Sequence, residues 1–317
     1  MSYTIIRPST REGWLQLREK GIGSSEVGTI LGVNPWETPY QLWRRKKGLD
    51  PAIEENDAMR AGHILEGAVA TYFEQETDKK VIKSSEGDWI AIDKDRDFLR
   101  VSPDRTYWLS QRHSKFNKGI LECKTTQMDI NHDELPQHWF CQLQYQLGVM
   151  GYAQGSIAWL TRGKNFGYVN IKFDNDFYTF MTSVLEKFWV DNILGNQEPE
   201  AVSVADMMIK FPRSSEKSIE ATQEIIDAAA SLRIVKQEVA KYTAQQKELE
   251  SRIKAFMQDA DTLCTAGSLV ANPEIICTYK SAKESMKFDE KAFASEHPDV
   301  YQQYLHSVPG SRRFMLK

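Results

Sequence analysis

The chain has 317 residues, 41% hydrophobic and 26% charged, with a formal net charge of −4 at pH 7. This is the composition of an ordinary folded protein with room for one large or two modest domains, and it excludes a protein that holds polyanions by an overall basic field. Four scattered cysteines, Cys123, Cys141, Cys264 and Cys277, show no C-x-x-C spacing; the N-terminal M-S-Y-T-I-I-R-P is no signal peptide, and no apolar run reaches membrane length. Reduced thiols in a soluble, cytoplasmic protein without membrane partners are expected.

In chain order, a helix is predicted from Ser24-Ser25, after the flexible Gly21-Ile22-Gly23, and another after Thr38-Pro39 through Leu42 and Trp43. Ala61, Leu65, Ala68, Val69 and Tyr72 recur at helical spacing, which predicts a helix over residues 58–73. Strands are read at 80–83, 89–92, 98–101 and 120–124, a helix at 139–150, and a strand pair at 156–160 and 168–173. An amphipathic helix then runs through Phe180, Val184, Phe188 and Ile193. Alternating helices and strands predict an α/β domain over residues 1–210, followed by a linker at Phe211–Ser218.

In the second segment, 211–317, Ala228, Leu232, Val235, Val239, Tyr242, Leu249, Ile253 and Phe256 form a heptad-like seam interrupted by Gln246. A helix of about eleven turns is expected. Its seam is covered either within the molecule, by a hairpin or the main domain, or by another chain in a coiled coil. A hairpin across Ala271-Asn272-Pro273, a short helix and the basic end S-R-R-F-M-L-K follow.

The chemistry concentrates in S-P-D, residues 102–104, and L-E-C-K-T, residues 121–125. Pro103 breaks a short apolar run, so Asp104 is placed at or just past a strand end. Alternation along a strand puts Glu122 and Lys124 on one face and Leu121 and Cys123 on the other. Cα atoms two residues apart on a strand are roughly 6–7 Å apart, close enough for a carboxylate and an ammonium to serve one metal, water and phosphate. A solvated ion pair has the same pattern.

Elsewhere, Glu66 sits at the edge of a helical apolar stripe, as an outward-turned boundary residue or a third acidic ligand. Gln142 and Gln146, four apart on one helix face, belong either to a structural network or to a site. Ser24 and Ser25 open a helix, as a cap or as an anion site that Arg18 extends. Trp36 is a packing aromatic or a base-stacking platform. The basic runs 44–47 and 112–118 are DNA-facing or solvated. His63, His113, His132 and His138 show no paired spacing with a cysteine or acid.

Taken in order, W-x-x-L-R, G-I-G-S-S-E-V, L-G-V-N-P-W-E-T-P, A-G-H-I-L-E, S-P-D-R, L-E-C-K-T and Q-L-Q-Y-Q-L resemble the YqaJ-type viral recombinase family over about residues 10–200. That family includes the phage lambda exonuclease and falls in the PD-(D/E)XK nuclease superfamily. The resemblance implies a central mixed β-sheet flanked by helices, with 211–317 as a C-terminal extension. It implies a Mg²⁺-dependent 5′-to-3′ exonuclease, Mn²⁺ substituting, that digests one strand of linear duplex DNA and leaves 3′ overhangs. It also implies a trimeric ring around DNA and a single-strand annealing protein as partner. By the resemblance, Asp104 and Glu122 are metal ligands, Glu66 is the helical acid, Lys124 is the catalytic lysine, and Gln142 is the glutamine of the following helix; the oxygen preference of Mg²⁺ adds the Cys123 carbonyl to the ligands, with Glu66 supporting that ion or a second one. Arg18, Ser25 and Ser102 match the positions that hold the 5′-phosphate. A PD-(D/E)XK endonuclease and an inert DNA-end-binding scaffold are the alternatives.

Overall fold

The computed structural model describes residues 3–51, 55–82, 89–110, 117–265, 275–307, 310 and 312–317. Two compact units, Met1–Lys210 and Phe211–Lys317, divide the chain.

The first unit opens with β1 (Tyr3–Ile6), α1 (Arg11–Glu19), a 3-10 turn at Ser24–Glu26, α2 (Val27–Ile30) and α3 (Pro39–Lys46). Thr38 caps α3: its hydroxyl accepts from Gln41 N at 3.2 Å, the Gln41 side chain accepts from Thr38 N, and Pro39 fills the first helical position. Next come α4 (Asp57–Thr77), β2 (Val81–Ile82), β3 (Ile90–Asp93), β4 (Arg100–Val101), β5 (Arg105–Trp108) and β6 (Lys118–Thr126). The unit closes with α5 (Gln137–Met150), β7 (Gln154–Thr161), β8 (Asn165–Lys172), α6 (Asn175–Lys187) and α7 (Val204–Lys210).

Strands β1, β3 and β4 make a small antiparallel sheet. The central sheet has the order β2-β5-β6-β7-β8 and is mixed: β6 and β7 are parallel, and the other pairs antiparallel. A parallel pair needs a crossover, and α5 supplies it. Gly151, at φ +66°, ends α5 in the left-handed conformation that lets the chain turn directly into β7. On β6, Ile120 belongs to the larger core cluster, with Leu143 and Leu147 of α5, while Leu121 joins Val69 and Phe73 of α4 in the smaller one. The predicted alternation is therefore real: one face of β6 looks to α5 and the other to α4.

The predicted elements are present with shifted ends, β1, α1, β5 and α7 appear in addition, and the one short helix expected near the end is two, α9 and α10. Strands β1 and β5 have four residues each and α7 has seven, too short for a periodic signal. The helix expected through Ile193 is α6 to Lys187, continued by a π-helical stretch at Phe188–Leu194.

In the second unit, an irregular stretch leads into α8 (Gln223–Met257), a 35-residue helix of roughly ten turns rather than eleven. Then come β9 (Thr262–Cys264) and β10 (Ile275–Thr278), paired antiparallel with a register shift between Ile275 and Cys277, and two short helices, α9 (Glu290–Glu296) and α10 (Pro298–Tyr304). The predicted Ala271-Asn272-Pro273 turn lies outside the described residues.

Candidate active site

Glu122 is 2% exposed and is held on β6 from three sides. Lys124 Nζ donates to its Oε1 at 2.8 Å, Gln142 Nε2 to the same oxygen at 2.5 Å, and Gln146 Nε2 to Oε2 at 2.9 Å. Lys124 also donates to Gln142 Oε1 at 2.8 Å, closing a Lys–Glu–Gln triangle between strand and helix. The i, i+2 and i, i+4 spacings read from the sequence meet here, because β6 and α5 present their polar faces to each other. Burial depresses the Lys124 ammonium, but Glu122 and Asp104 outweigh it and raise its pKa, so the nitrogen stays a hydrogen-bond donor.

Asp104 lies between β4 and β5. The register Arg105↔Leu121 would place Cys123 against Pro103 if the ladder continued. Proline offers no N–H, and Cys123 N instead donates to Asp104 Oδ2 at 2.8 Å. A strand residue sends its N–H and C=O toward the same edge, so the Cys123 carbonyl faces this gap too. Burial, reinforced by the charges of Glu122 and Glu66, pushes the Asp104 carboxyl well up against the opposing pull of Lys124. Crowded, half-satisfied carboxylate oxygens of this kind suit a hard divalent cation that takes one or two carboxylates and keeps its remaining positions for water and phosphate. Asp104, Glu122 and the Cys123 carbonyl fit such an ion. Among the described residues, no group of three or more His, Cys, Asp or Glu is placed to hold a metal ion, so the fit rests on the two carboxylates and the carbonyl.

Glu66 reaches the same region from α4, where Arg105 NH1 donates to its Oε1 and also to the Asp104 carbonyl at 2.5 Å. Arg105 was not singled out from the sequence. It makes Glu66 one half of an ion pair, a partner beside the centre rather than an unopposed ligand.

The second group lies across a cavity of about 600 Å³. Arg18, Ser25, Arg100 and Ser102 line it together with Glu66, Asp104 and Gln142. Arg18 NH2 donates to Ser25 Oγ at 2.5 Å, with its guanidinium 5.4 Å from the Trp14 ring. The Ser102 hydroxyl donates to the Trp89 carbonyl at 2.6 Å, so it must turn away before it can donate to another group.

Beneath this end sits Glu26, which the sequence reading passed over. It is 5% exposed; its Oε2 meets Lys46 Nζ at 2.8 Å and Gly23 N at 2.9 Å, and Arg45 NH1 lies 3.5 Å from Oε1. Lys46 also donates to Gly21 O at 2.7 Å. Burial works to raise the Glu26 carboxyl, but Lys46, Arg18 and the Gly23 amide overcome it and hold it below its ordinary range. The Gly21–Ser25 turn carrying Ser25 is thus clamped by one buried ion pair. The acid in G-S-S-E was the available signal, but its partner lies 20 positions away in a run that reads as surface charge.

That run, 44–47, is not an open DNA-facing patch. Arg44 makes two 2.8 Å bonds to Asp50, Arg45 pairs with Glu37, Lys46 with Glu26, and Lys47 donates to Ile193 O. Most of the run 112–118 lies outside the described residues, while Lys118 sits over the Trp108 ring. Trp36 is 70% exposed and meets only the edge of His138 among the described rings, which does not suit a core packing role. His63, unpaired by spacing, faces Glu55 at 2.9 Å across the loop before α4. All four cysteines are free, and burial followed by Asp104 and Glu122 drives the Cys123 thiol well up, away from thiolate chemistry.

Residues 13–153 match the YqaJ-like viral recombinase domain. The chain is 30% identical over 320 residues to "Uncharacterized protein YqaJ" of Bacillus subtilis (strain 168), covering 97% of this chain and 94% of that protein. The protein belongs to the YqaJ-like viral recombinase family. Among solved structures, it is similar to an alkaline exonuclease from Laribacter hongkongensis, at 17% identity and a TM-score of 0.44 over 58% of this chain and 93% of that one. A phage-related exonuclease from Haemophilus somnus 129PT matches at 14% identity and a TM-score of 0.36, over 56% of this chain and 96% of that one. No helix among the described residues is long and apolar enough to cross a membrane.

Proposed function

We propose that the protein is a divalent-metal-dependent nuclease of the lambda exonuclease type, acting from 5′-phosphorylated ends of linear duplex DNA in the 5′-to-3′ direction and leaving 3′ overhangs for strand annealing. The observation that carries this reading is the single cavity lined both by Asp104, Glu66 and Gln142 and by Arg18, Ser25 and Ser102. One end suits a cation and the other an anion, which is what a terminal phosphate beside a scissile phosphodiester requires.

Mg²⁺, with Mn²⁺ as substitute, supplies charge neutralisation at phosphorus and a more acidic bound water when held by Asp104, Glu122 and the Cys123 carbonyl. Lys124, a fixed donor, orients the attacking water and neutralises a phosphate oxygen. Gln142 and Gln146 keep Glu122 in one rotamer, and Glu66 with Arg105 supports the Asp104 turn. Arg18 and Ser25 bind the terminal phosphate, while Ser102 contributes after its hydroxyl turns from Trp89. Duplex DNA ends and a single-strand annealing protein are the partners, in the cytoplasm, and the family resemblance supports a trimeric ring.

The test is release of nucleotides from linear duplexes with 5′-phosphate or 5′-hydroxyl ends, beside a covalently closed circle, with Mg²⁺ or chelator. Rapid release from the phosphorylated ends with Mg²⁺ alone is expected. Cleavage of the circle, or indifference to the end, overturns the exonuclease reading in favour of an endonuclease. End binding without nucleotide release would make the chain a binding scaffold.

A further inference from the structure

Arg100 is a buried charge with no carboxylate to balance it. It is 8% exposed, on β4, two residues before Ser102 and four before Asp104, and it lines the same cavity as both. Its Nη1 donates to Leu17 O, in the last turn of α1, at 2.6 Å, and its Nε donates to Asp97 O at 3.0 Å. Among the described residues Nη2 has no hydrogen-bond partner and no carboxylate pairs with the guanidinium. Gly21 packs directly against the side chain, where a Cβ would lie 2.6 Å from Arg100 Nε and 2.7 Å from Cδ. Burial lowers the pKa of this guanidinium, with the charges of Asp97 and Tyr145 opposing, yet an arginine stays charged. The two carbonyls fix the plane of the fork but cancel no charge, and an ion taken out of water unpaired is costly.

We propose that Arg100 is a second cation of the end-binding pocket, gripping with Arg18 the dianionic monoester phosphate at a 5′ end. This rests on the end-directed reading above and adds to it a residue outside the set drawn from the family resemblance. Arg18 likewise hydrogen-bonds only a neutral group, Ser25 Oγ, so two guanidiniums line one cavity with no carboxylate bonded to either. That charge suits a terminal monoester, which carries about −1.5 to −2 at pH 7, better than an internal diester with its single charge. Leu17 precedes Arg18 in α1, so the bond from Arg100 to the Leu17 carbonyl also ties the two guanidinium-bearing segments together. β4 continues directly into Ser102 and Asp104, which joins this phosphate contact and the metal-binding carboxylate on one short stretch of chain. A fork already held by two carbonyls loses little freedom when the phosphate arrives.

The test is binding of the full-length chain to duplexes with 5′-phosphate or 5′-hydroxyl ends, in chelator so that no hydrolysis intervenes. The wild type should prefer the phosphorylated end. R100Q should weaken that complex about 10- to 100-fold and leave the hydroxyl end unchanged, with folding checked by circular dichroism. R100K, which keeps the charge and a donor for Leu17 O, should show a smaller loss confined to the phosphorylated end, and it carries the comparison if R100Q does not fold. Capping the terminal phosphate as its methyl ester removes the second charge, so the R100Q defect should shrink on that duplex. Full phosphate preference in folded R100Q overturns the role of Arg100 and leaves the end-directed reading standing. An equal loss on both ends, in either variant, assigns the guanidinium to an internal phosphate or to the fold and overturns the terminal assignment. A wild type indifferent to the end overturns the end-directed reading and this proposal with it. End preference that depends on Arg100, without nucleotide release once Mg²⁺ is restored, supports the proposal and overturns only the nuclease reading.

Discussion

Two charged clusters that each contribute residues to one cavity use charge in opposite ways. At one end Asp104, Glu122 and Glu66 crowd together, and burial with mutual repulsion lifts the Asp104 carboxyl well above its usual range. At the other, Arg18, Arg45 and Lys46 gather round a single carboxylate, Glu26, which they hold below its usual range. A site short of positive charge stands across from one with positive charge in surplus. On the proposed reading, the first gains from a cation and the second from an anion. The contrast is one of stability as well: the Asp104 carboxyl is pushed up by burial and like charge, whereas Glu26 is paired with Lys46 and Arg45 and braces the Gly21–Ser25 turn.

The sharpest way to break this contrast is E122Q or D104N. Either removes a ligand charge, and nucleotide release should fall at least about a thousandfold, as expected when several kcal/mol of transition-state stabilisation are lost. The melting temperature of D104N should be unchanged or higher, because the crowding is relieved; a large drop in both quantities would show the acid to be structural.

At the other end the order reverses. E26Q should cost about 3–5 kcal/mol of stability by leaving Lys46 buried without its partner, measured by urea unfolding. The sign of the pH dependence follows from the depressed Glu26 carboxyl: its stabilisation is present above the ordinary glutamate range and is lost as pH falls through the lower folded value. Wild-type stability should therefore decline in acid more steeply than that of E26Q.

R18A tests recognition alone. A charge-assisted bond contributes about 1.5–3 kcal/mol, so kcat/KM on 5′-phosphorylated ends should fall about 10- to 100-fold while 5′-hydroxyl ends are unaffected. An equal loss on both ends would remove Arg18 from end recognition. The smallest effect belongs to Q146L, which frees Glu122 Oε2 from its amide partner. The Mg²⁺ concentration giving half-maximal rate should rise about tenfold, in line with loss of a group that orients a ligand.

Much of the carboxylate end was legible before folding. Glu122 and Lys124 had to share a face if the segment was a strand, and Gln142 and Gln146 had to share one if theirs was a helix. The arginine end was half legible: Arg18 and Ser25 stood out by family resemblance, but Glu26 did not stand out at all. Runs of basic residues misled most, since 44–47 reads as a patch and is instead distributed among Asp50, Glu37, Glu26 and a backbone carbonyl.

What the sequence determined by itself are the features set by local covalent geometry: the two-residue period of β6, the helical period of α4, α5 and α8, the caps at Thr38 and Gly151, and the break at Pro103. These follow from dihedral angles within a few residues and hold wherever the segment is placed. Only the tertiary structure decided which charges meet. Arg105 with Glu66, Lys46 with Glu26, and Arg18 with Asp104 in the lining of one cavity are separated by 20 to 86 positions in the chain. Their pairing depends on how the crossover through α5 and the return of α4 stack on the sheet, where burial multiplies the energy of every charge that finds, or lacks, a partner.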